Sequence, residues 1–202
     1  MTVPHLQSRL RHLFPVLLVA VAAVLLINLA RDNLHDRIDT GKARHDMQPV
    51  FDVLPLKFDN DLLSDRITLN DLPQNGPAQV FRARQAGQPV GVVVMPVIAK
   101  GYNGSIDLAV GIAYDGTLTG VRIVQHRETP GLGDQIHQLK SGWLDQFPGH
   151  SLANTPAGNW AVTPDGGQFD GISGATITPR GVIRAVHAVL ARYRTDTESF
   201  FR

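Results

Sequence analysis

Apolar and charged positions divide the chain into an uncharged head, a mixed segment and a patterned body. Residues 13–30 read L-F-P-V-L-L-V-A-V-A-A-V-L-L-I-N-L-A, eighteen positions without a charge. At about 1.5 Å per residue such a helix spans roughly 27 Å, close to the ~30 Å hydrocarbon thickness of a bilayer. A buried core helix would show a polar stripe, and residues 16–27 have none. A cleaved signal peptide fits Arg9 and Arg11, but its apolar core would be shorter, and Asn28-Leu29-Ala30 is a poor small-x-small cleavage site. The pattern fits an uncleaved single-span anchor better than either. Arg9 and Arg11 precede the span and Arg31, Arg37, Lys42 and Arg44 follow it, so charge leaves the orientation open.

Beyond the span, the pattern predicts a helical stalk over the polar, mixed-charge residues 31–47. Residues 50–72 read as a short helix with irregular structure. Four antiparallel strands follow. Residues 80–85 alternate, Ala86-Gly87-Gln88 turns, and 90–98 is a β-branched run. Residues 106–114 and 118–125 flank Asp115-Gly116, a strong hairpin signal. Ile136, Leu139, Trp143 and Leu144 predict a helix over 134–147, and 160–162 is a short strand candidate. A last helix runs from Pro179 to about Arg194, with Val182, Ile183, Val186, Val189, Leu190 and Tyr193 on one face. Thr178 is its expected N-cap, with Pro179 at the first helical position. The expected organisation is a tail over 1–12, a transmembrane helix over 13–30, a stalk and lead-in over 31–75, an α+β domain over 76–195 built on an antiparallel sheet with flanking helices, and a tail over 196–202.

Composition narrows the chemistry. The chain has 202 residues, 43% of them apolar, enough for one compact domain with extensions. Nineteen Lys and Arg against eighteen Asp and Glu leave a net charge of +1, which removes the electrostatic case for nucleic-acid binding. There is no cysteine, so disulfides, thiolate metal sites, iron–sulfur clusters and a Cys nucleophile are excluded. Eight histidines, His126 among them, lie scattered without ligand spacing, and no metal site is expected. Trp143 and Trp160 read most simply as core or interface residues.

The segment Asp170-Gly171-Ile172-Ser173-Gly174-Ala175-Thr176-Ile177-Thr178 is small and hydroxyl-rich, and it feeds directly into the last helix. A helix N-terminus carries free N–H donors and a positive dipole end, so a phosphate placed there is stabilised without a nearby Lys. A tight connection alone would also explain these residues. The segment lacks the lysine of a nucleoside-triphosphate loop, and Thr176 has no adjacent His to make it an acyl-transfer nucleophile. A second punctuated stretch, Glu128-Thr129-Pro130-Gly131-Leu132-Gly133, follows a strand. Read by itself it is a rigid connector.

Asp170-x-x-Ser173-Gly174-Ala175-Thr176 resembles the flavinylation motif of periplasmic FMN-binding domains. The chain as a whole is similar to the RnfG/RsxG family, the G-type components of the Rnf (Rsx) ion-translocating electron-transport complexes. The likeness runs through the span, Gly101-Tyr102-Asn103-Gly104, the stretch from His126 to Gly133, and residues 170–180. The C-type component of the sodium-pumping NADH:quinone reductases carries similar motifs on a longer chain.

The resemblance implies an electron carrier with FMN joined by a phosphoester to Thr176. Ser173, Gly174, Ala175 and Thr178 would surround the attachment, and Asp170 would be recognised by a flavin transferase. The Glu128–Gly133 loop is expected to line the isoalloxazine. Thr129 and backbone amides near Gly131 would bond its polar edge, Leu132 would cover its apolar face, Glu128 would act in proton balance or hold the loop, and Tyr102 could stack on the ring. The implied setting is the bacterial inner membrane, with the domain in the periplasm and other membrane components of the complex as partners. A membrane-anchored FMN sensor without electron throughput and a cofactor-free scaffold are the competing classes.

Overall fold

The structure is a computed structural model that describes residues 23–24, 47–73 and 76–202. The expected anchor over 13–30 and the stalk up to residue 46 lie outside the described residues, apart from Ala23 and Val24, which are helical. Among the described residues no helix is long and apolar enough to cross a membrane.

Residues 47–202 build on one antiparallel sheet whose strands lie in chain order: β1 (Arg66–Leu69), β2 (Ala78–Gln85), β3 (Gln88–Lys100), β4 (Ser105–Ala113) and β5 (Leu118–Gln125). Helix α1 is described over 47–52, and α2 spans Ile177–Thr195. The expected β-branched run is explained by burial on both faces. Val92, Val93 and Val94 are all fully buried, so this part of β3 does not alternate polar with apolar.

One face carries the larger core. Val92, Val94, Val97, Leu108, Val110, Val121 and Ile123 meet Val182, Ile183, Val186, Val189 and Leu190 of α2. The stripe expected on the last helix is therefore its buried face. On the other face Val50, Val53, Leu54 and Leu62 cover Phe81, Ala83, Val93 and Ala109. A register shift between Val94 and Val97 changes which parity of β3 faces α2, so Val97 and Ala99 continue the side that Val92 and Val94 began.

Two glycine contacts set how closely the layers approach. Gly111 and Gly120 are cross-strand partners, and the backbone of Val53 lies on them. A Cβ on Gly120 would stand 2.8 Å from the Val53 Cα. The Thr119 hydroxyl donates to the Val53 carbonyl at 2.5 Å. On the opposite face Gly181 of α2 sits directly on the carbonyl of Lys100 at the end of β3. A glycine inside a helix is unfavourable by about 1 kcal/mol relative to alanine, and here it allows the close contact.

Four expectations are corrected. The sheet has a fifth strand, β1, whose four residues fall inside the stretch read as irregular. Residues 134–147 form two 3-10 turns, Gly133–Ile136 and Trp143–Gln146, instead of one helix. Leu139 is 85% exposed, so it does not share a buried face with Ile136 and Trp143, and Gly142 separates the turns. Residues 160–162 contribute one bridge, Val162 to Phe169. Helix α2 starts at Ile177, which puts Pro179 at its third position.

Gly111→Ala would drive a methyl group into the Val53 carbonyl and is expected to destabilise the domain by about 1–3 kcal/mol or more. Gly158→Ala, which meets open space, should stay within about 0.5 kcal/mol of the parent. Urea unfolding of both variants checks the contact; equal midpoints would show that Val53 does not rest on Gly111.

Candidate functional site

At one end of the sheet three segments converge: the 101–104 loop leaving β3, the 126–133 segment leaving β5, and the start of α2. Glu128 stands among them, buried. Its Oε1 accepts the backbone N–H of Asn103 at 2.9 Å, and its Oε2 accepts that of Tyr102 at 3.4 Å and the hydroxyl of Thr178. Glycines flank the carboxylate because nothing larger fits. A Cβ on Gly101 would lie 2.5 Å from Oε1, and one on Gly133 would lie 2.5 Å from Oε2.

The expected N-cap role of Thr178 is corrected by this contact. Thr178 is inside α2 and fully buried, and its hydroxyl is given to Glu128 rather than to the helix end. Thr176 occupies the N-cap position with no side-chain capping bond, and it is exposed.

The 128–133 loop is a tight turn in its own right. The Thr129 carbonyl accepts the N–H of Leu132 at 3.1 Å, and Gly131 takes φ 77°, a conformation that favours glycine. Gly131 thus shapes the turn, while Thr129, Leu132 and Gly133 line the space beside it. On the other side the 170–176 segment is held from below. Asp170 accepts the Trp143 indole N–H on its carbonyl at 2.8 Å and donates its own N–H to Gln146 Oε1 at 2.7 Å. Phe147 stacks on Phe169 with ring centroids 5.1 Å apart. Trp143 and Trp160 are both buried, as expected of core residues.

The result is a ridge, Gly174-Ala175-Thr176, between two clefts. The first, of about 260 Å³, is bounded by Tyr102, Glu128, Thr129, Leu132, Ile177 and Thr178. Its apolar side chains are open to solvent: Tyr102 is 73% exposed, Leu132 44% and Ile177 47%. The second, of about 410 Å³, is bounded by Val162, Pro164, Ile172, Ser173, Pro179 and Arg180. Gly174 has φ 77°, and a Cβ there would meet Leu132 at 3.0 Å, so the ridge stays low where the two segments approach.

Thr176, Gly174, Ala175, Thr178, Glu128, Thr129, Leu132 and Tyr102 therefore come together around the first cleft. Ser173 faces the second cleft, and Asp170 is exposed beside the ridge. Gly133, the end of the loop expected there, lines the first cleft, and so does Ile177, which was not among the expected contacts. An apolar residue at the helix start, outside the stripe from Val182 to Tyr193, was the available signal for Ile177.

The charged groups are unevenly placed. Glu128 is the only ionisable carboxyl on the first cleft, and Arg180 the only cation on either among the described residues. Arg180 pairs with Asp165 through two bonds, 2.5 and 2.7 Å, which hold the Asp165 carboxyl below its usual range and raise the guanidinium. Behind the 126–133 segment His126 and His137 lie 5.8 Å apart, and burial, with His126 and Lys140 nearby, lowers the His137 imidazole.

The FMN-binding domain family matches residues 101–191, which include both clefts. A protein of Pseudoalteromonas atlantica, the G component of an ion-translocating oxidoreductase complex, is 37% identical over 188 residues, 91% of this chain and 87% of that protein. The protein of the same name from Pseudomonas aeruginosa is 37% identical over 95% of this chain and 92% of its own length. A crystal structure of Shewanella oneidensis NqrC is 27% identical and covers 70% of this chain and 74% of that one, with a TM-score of 0.49.

If Glu128 ties the three segments together, Glu128→Ala strands the buried Thr178 hydroxyl, releases the Tyr102 and Asn103 amides, and should cost about 1–3 kcal/mol. Hydrogen exchange at the Asn103 amide should quicken while amides at the centre of β3 keep their protection. Unchanged exchange at Asn103 would show that this carboxylate does not hold the loop.

Proposed function

This chain belongs to the family of G components of ion-translocating oxidoreductase complexes, and from that membership we propose that it is a membrane-anchored flavoprotein electron carrier with FMN joined through its phosphate to Thr176. The observation that carries the reading is the setting of Thr176. The residue is exposed, its side chain makes no capping bond, and it stands on a ridge between two clefts inside the matched FMN-binding region.

The residues present suit such a group. A phosphoester needs a hydroxyl, and the nearby alternative, Thr178, is fully buried with its hydroxyl committed to Glu128. A phosphate at the start of a nineteen-residue helix meets the positive end of the dipole, although Pro179 leaves only the Ile177 and Thr178 N–H groups in the first turn. Gly174 and Ala175 leave room for a bulky group to approach the backbone, and Ser173 and Asp170 lie exposed beside it for a flavin transferase to read. In the first cleft Leu132, Tyr102 and Ile177 would hold an apolar ring face. Thr129 and loop amides would hold its polar edge, and Glu128 fixes the wall. FMN, when bound, supplies the electron chemistry, and the protein sets its potential and reach.

Residues 13–30 complete the proposed setting. An uncharged span of that length supports a single anchor, with the domain in the periplasm where flavin transfer of this kind is expected, beside other membrane components of the complex.

Thr176→Ala is expected to abolish covalent flavin, seen as in-gel fluorescence under denaturing conditions, while leaving the fold intact. Thr176→Ser should retain some attachment, and Thr178→Val should retain it fully at some loss of stability. A fluorescent band persisting in Thr176→Ala would remove the assignment. For topology, protease added to intact spheroplasts should digest the domain; full protection would place it on the cytoplasmic side, and a mature form lacking 13–30 would exclude the anchor.

A further inference from the structure

We propose that Arg180, oriented by Asp165, is the cation that grips the phosphate carried on Thr176. The inference rests on Thr176 being the FMN attachment residue and adds a phosphate-binding side chain to that site.

The helix end alone is a poor phosphate cradle in this protein. The N-cap Thr176 is followed by Ile177, Thr178 and Pro179, and proline at the third helical position has no N–H to offer. The hydroxyl inside the first turn of the helix, on Thr178, is turned inward to Glu128. The first cleft contributes a carboxylate and no cation, so its field opposes an anion. Arg180 lies one turn along α2 from Thr176 and lines the second cleft with it.

The guanidinium is aimed rather than free. Its Nε–H and one Nη2–H go to the two Asp165 oxygens, at 2.5 and 2.7 Å. An Nη1–H goes to the carbonyl of Thr176 at 3.0 Å. Guanidinium has five N–H donors, so two remain after these bonds, beside the very residue that would carry the phosphate. Asp165 is itself placed by a 3-10 turn, Thr163–Asp165, that Gly166 closes at φ 83°. An exposed ion pair of this kind contributes little to stability. Its effect is to hold a planar fork in one orientation, and arginine suits phosphate through paired, parallel N–H···O bonds. Asp165 is thus a positioning residue, and Arg180 touches the phosphate.

The test is phosphorus NMR of the full chain after treatment with a flavin transferase and flavin adenine dinucleotide, whose pyrophosphate bond breaks as the Thr176 oxygen takes the FMN phosphoryl group and AMP leaves. In the parent, the phosphodiester resonance should be displaced from its position in the same protein unfolded in urea. Arg180→Ala should move it most of the way to the unfolded position. Arg180→Lys should restore part of the displacement, and Asp165→Asn should lose part of it. Exchange at the Asn103 amide, which reports the Glu128 contacts, should be unchanged in all three. A resonance in flavinylated Arg180→Ala that coincides with the parent's would overturn the proposal while leaving Thr176 as the attachment residue. Absence of any covalent phosphorus signal in the treated parent would instead overturn the attachment itself, and this inference with it.

Discussion

A buried carboxylate must find donors or it destabilises the fold, and the whole site is arranged around how Glu128 finds its own. It takes backbone N–H groups from the 101–104 loop and a hydroxyl from α2. Elements far apart in sequence are thereby fixed at one point. The pairing also explains why small residues surround it, since Gly101 and Gly133 each leave the space that the carboxylate oxygens occupy. With Thr178 drawn inward, Thr176, two residues earlier, is left outward at the N-cap without a side-chain capping bond. One threonine turns inward and the other outward at the same helix start.

The sheet supplies the rigidity behind this arrangement. Both of its faces are covered, by α2 and the 3-10 turns on one side and by the 47–62 segment on the other. Gly181 lets α2 rest on the last carbonyl of β3, so the helix start lies beside the loop that β3 leads into. The ridge has its own support, an aromatic layer in which Trp143, Phe147, Phe169 and Trp160 pack beneath residue 170. The groups expected to hold a cofactor therefore sit on loops anchored to a packed scaffold, the arrangement by which loops carry function without losing position.

Much of this was legible from residue order. The strand at 80–85 and the apolar stripe of the last helix were readable because burial imposes period 2 or 3.6 on side chains, 90–98 by its β-branched run, and 106–114 and 118–125 by the Asp115-Gly116 turn between them. The two glycine-bearing segments stood out by their turn chemistry, and the structure brings them to facing walls of one cleft. β1 was missed because four residues with a half-exposed pattern carry almost no periodic signal. The 134–147 segment misled because Ile136 and Trp143 are buried by separate turns, a match to helical spacing without a helix. Thr178 was misplaced for a more instructive reason. A hydroxyl before a proline at a helix start is an ordinary cap signal, and only the tertiary partner, Glu128, fifty residues away, decides that it points inward.

The most direct test of Thr176 as the carrier of FMN is a crystal structure of the chain after flavin transfer. Continuous density is expected from the Thr176 hydroxyl oxygen into a phosphate, and an isoalloxazine against Leu132 and Tyr102, with Glu128 still joined to Thr178. Density leaving any other residue, or a ring lying away from the Glu128–Gly133 loop with Glu128 released from Thr178, would contradict it.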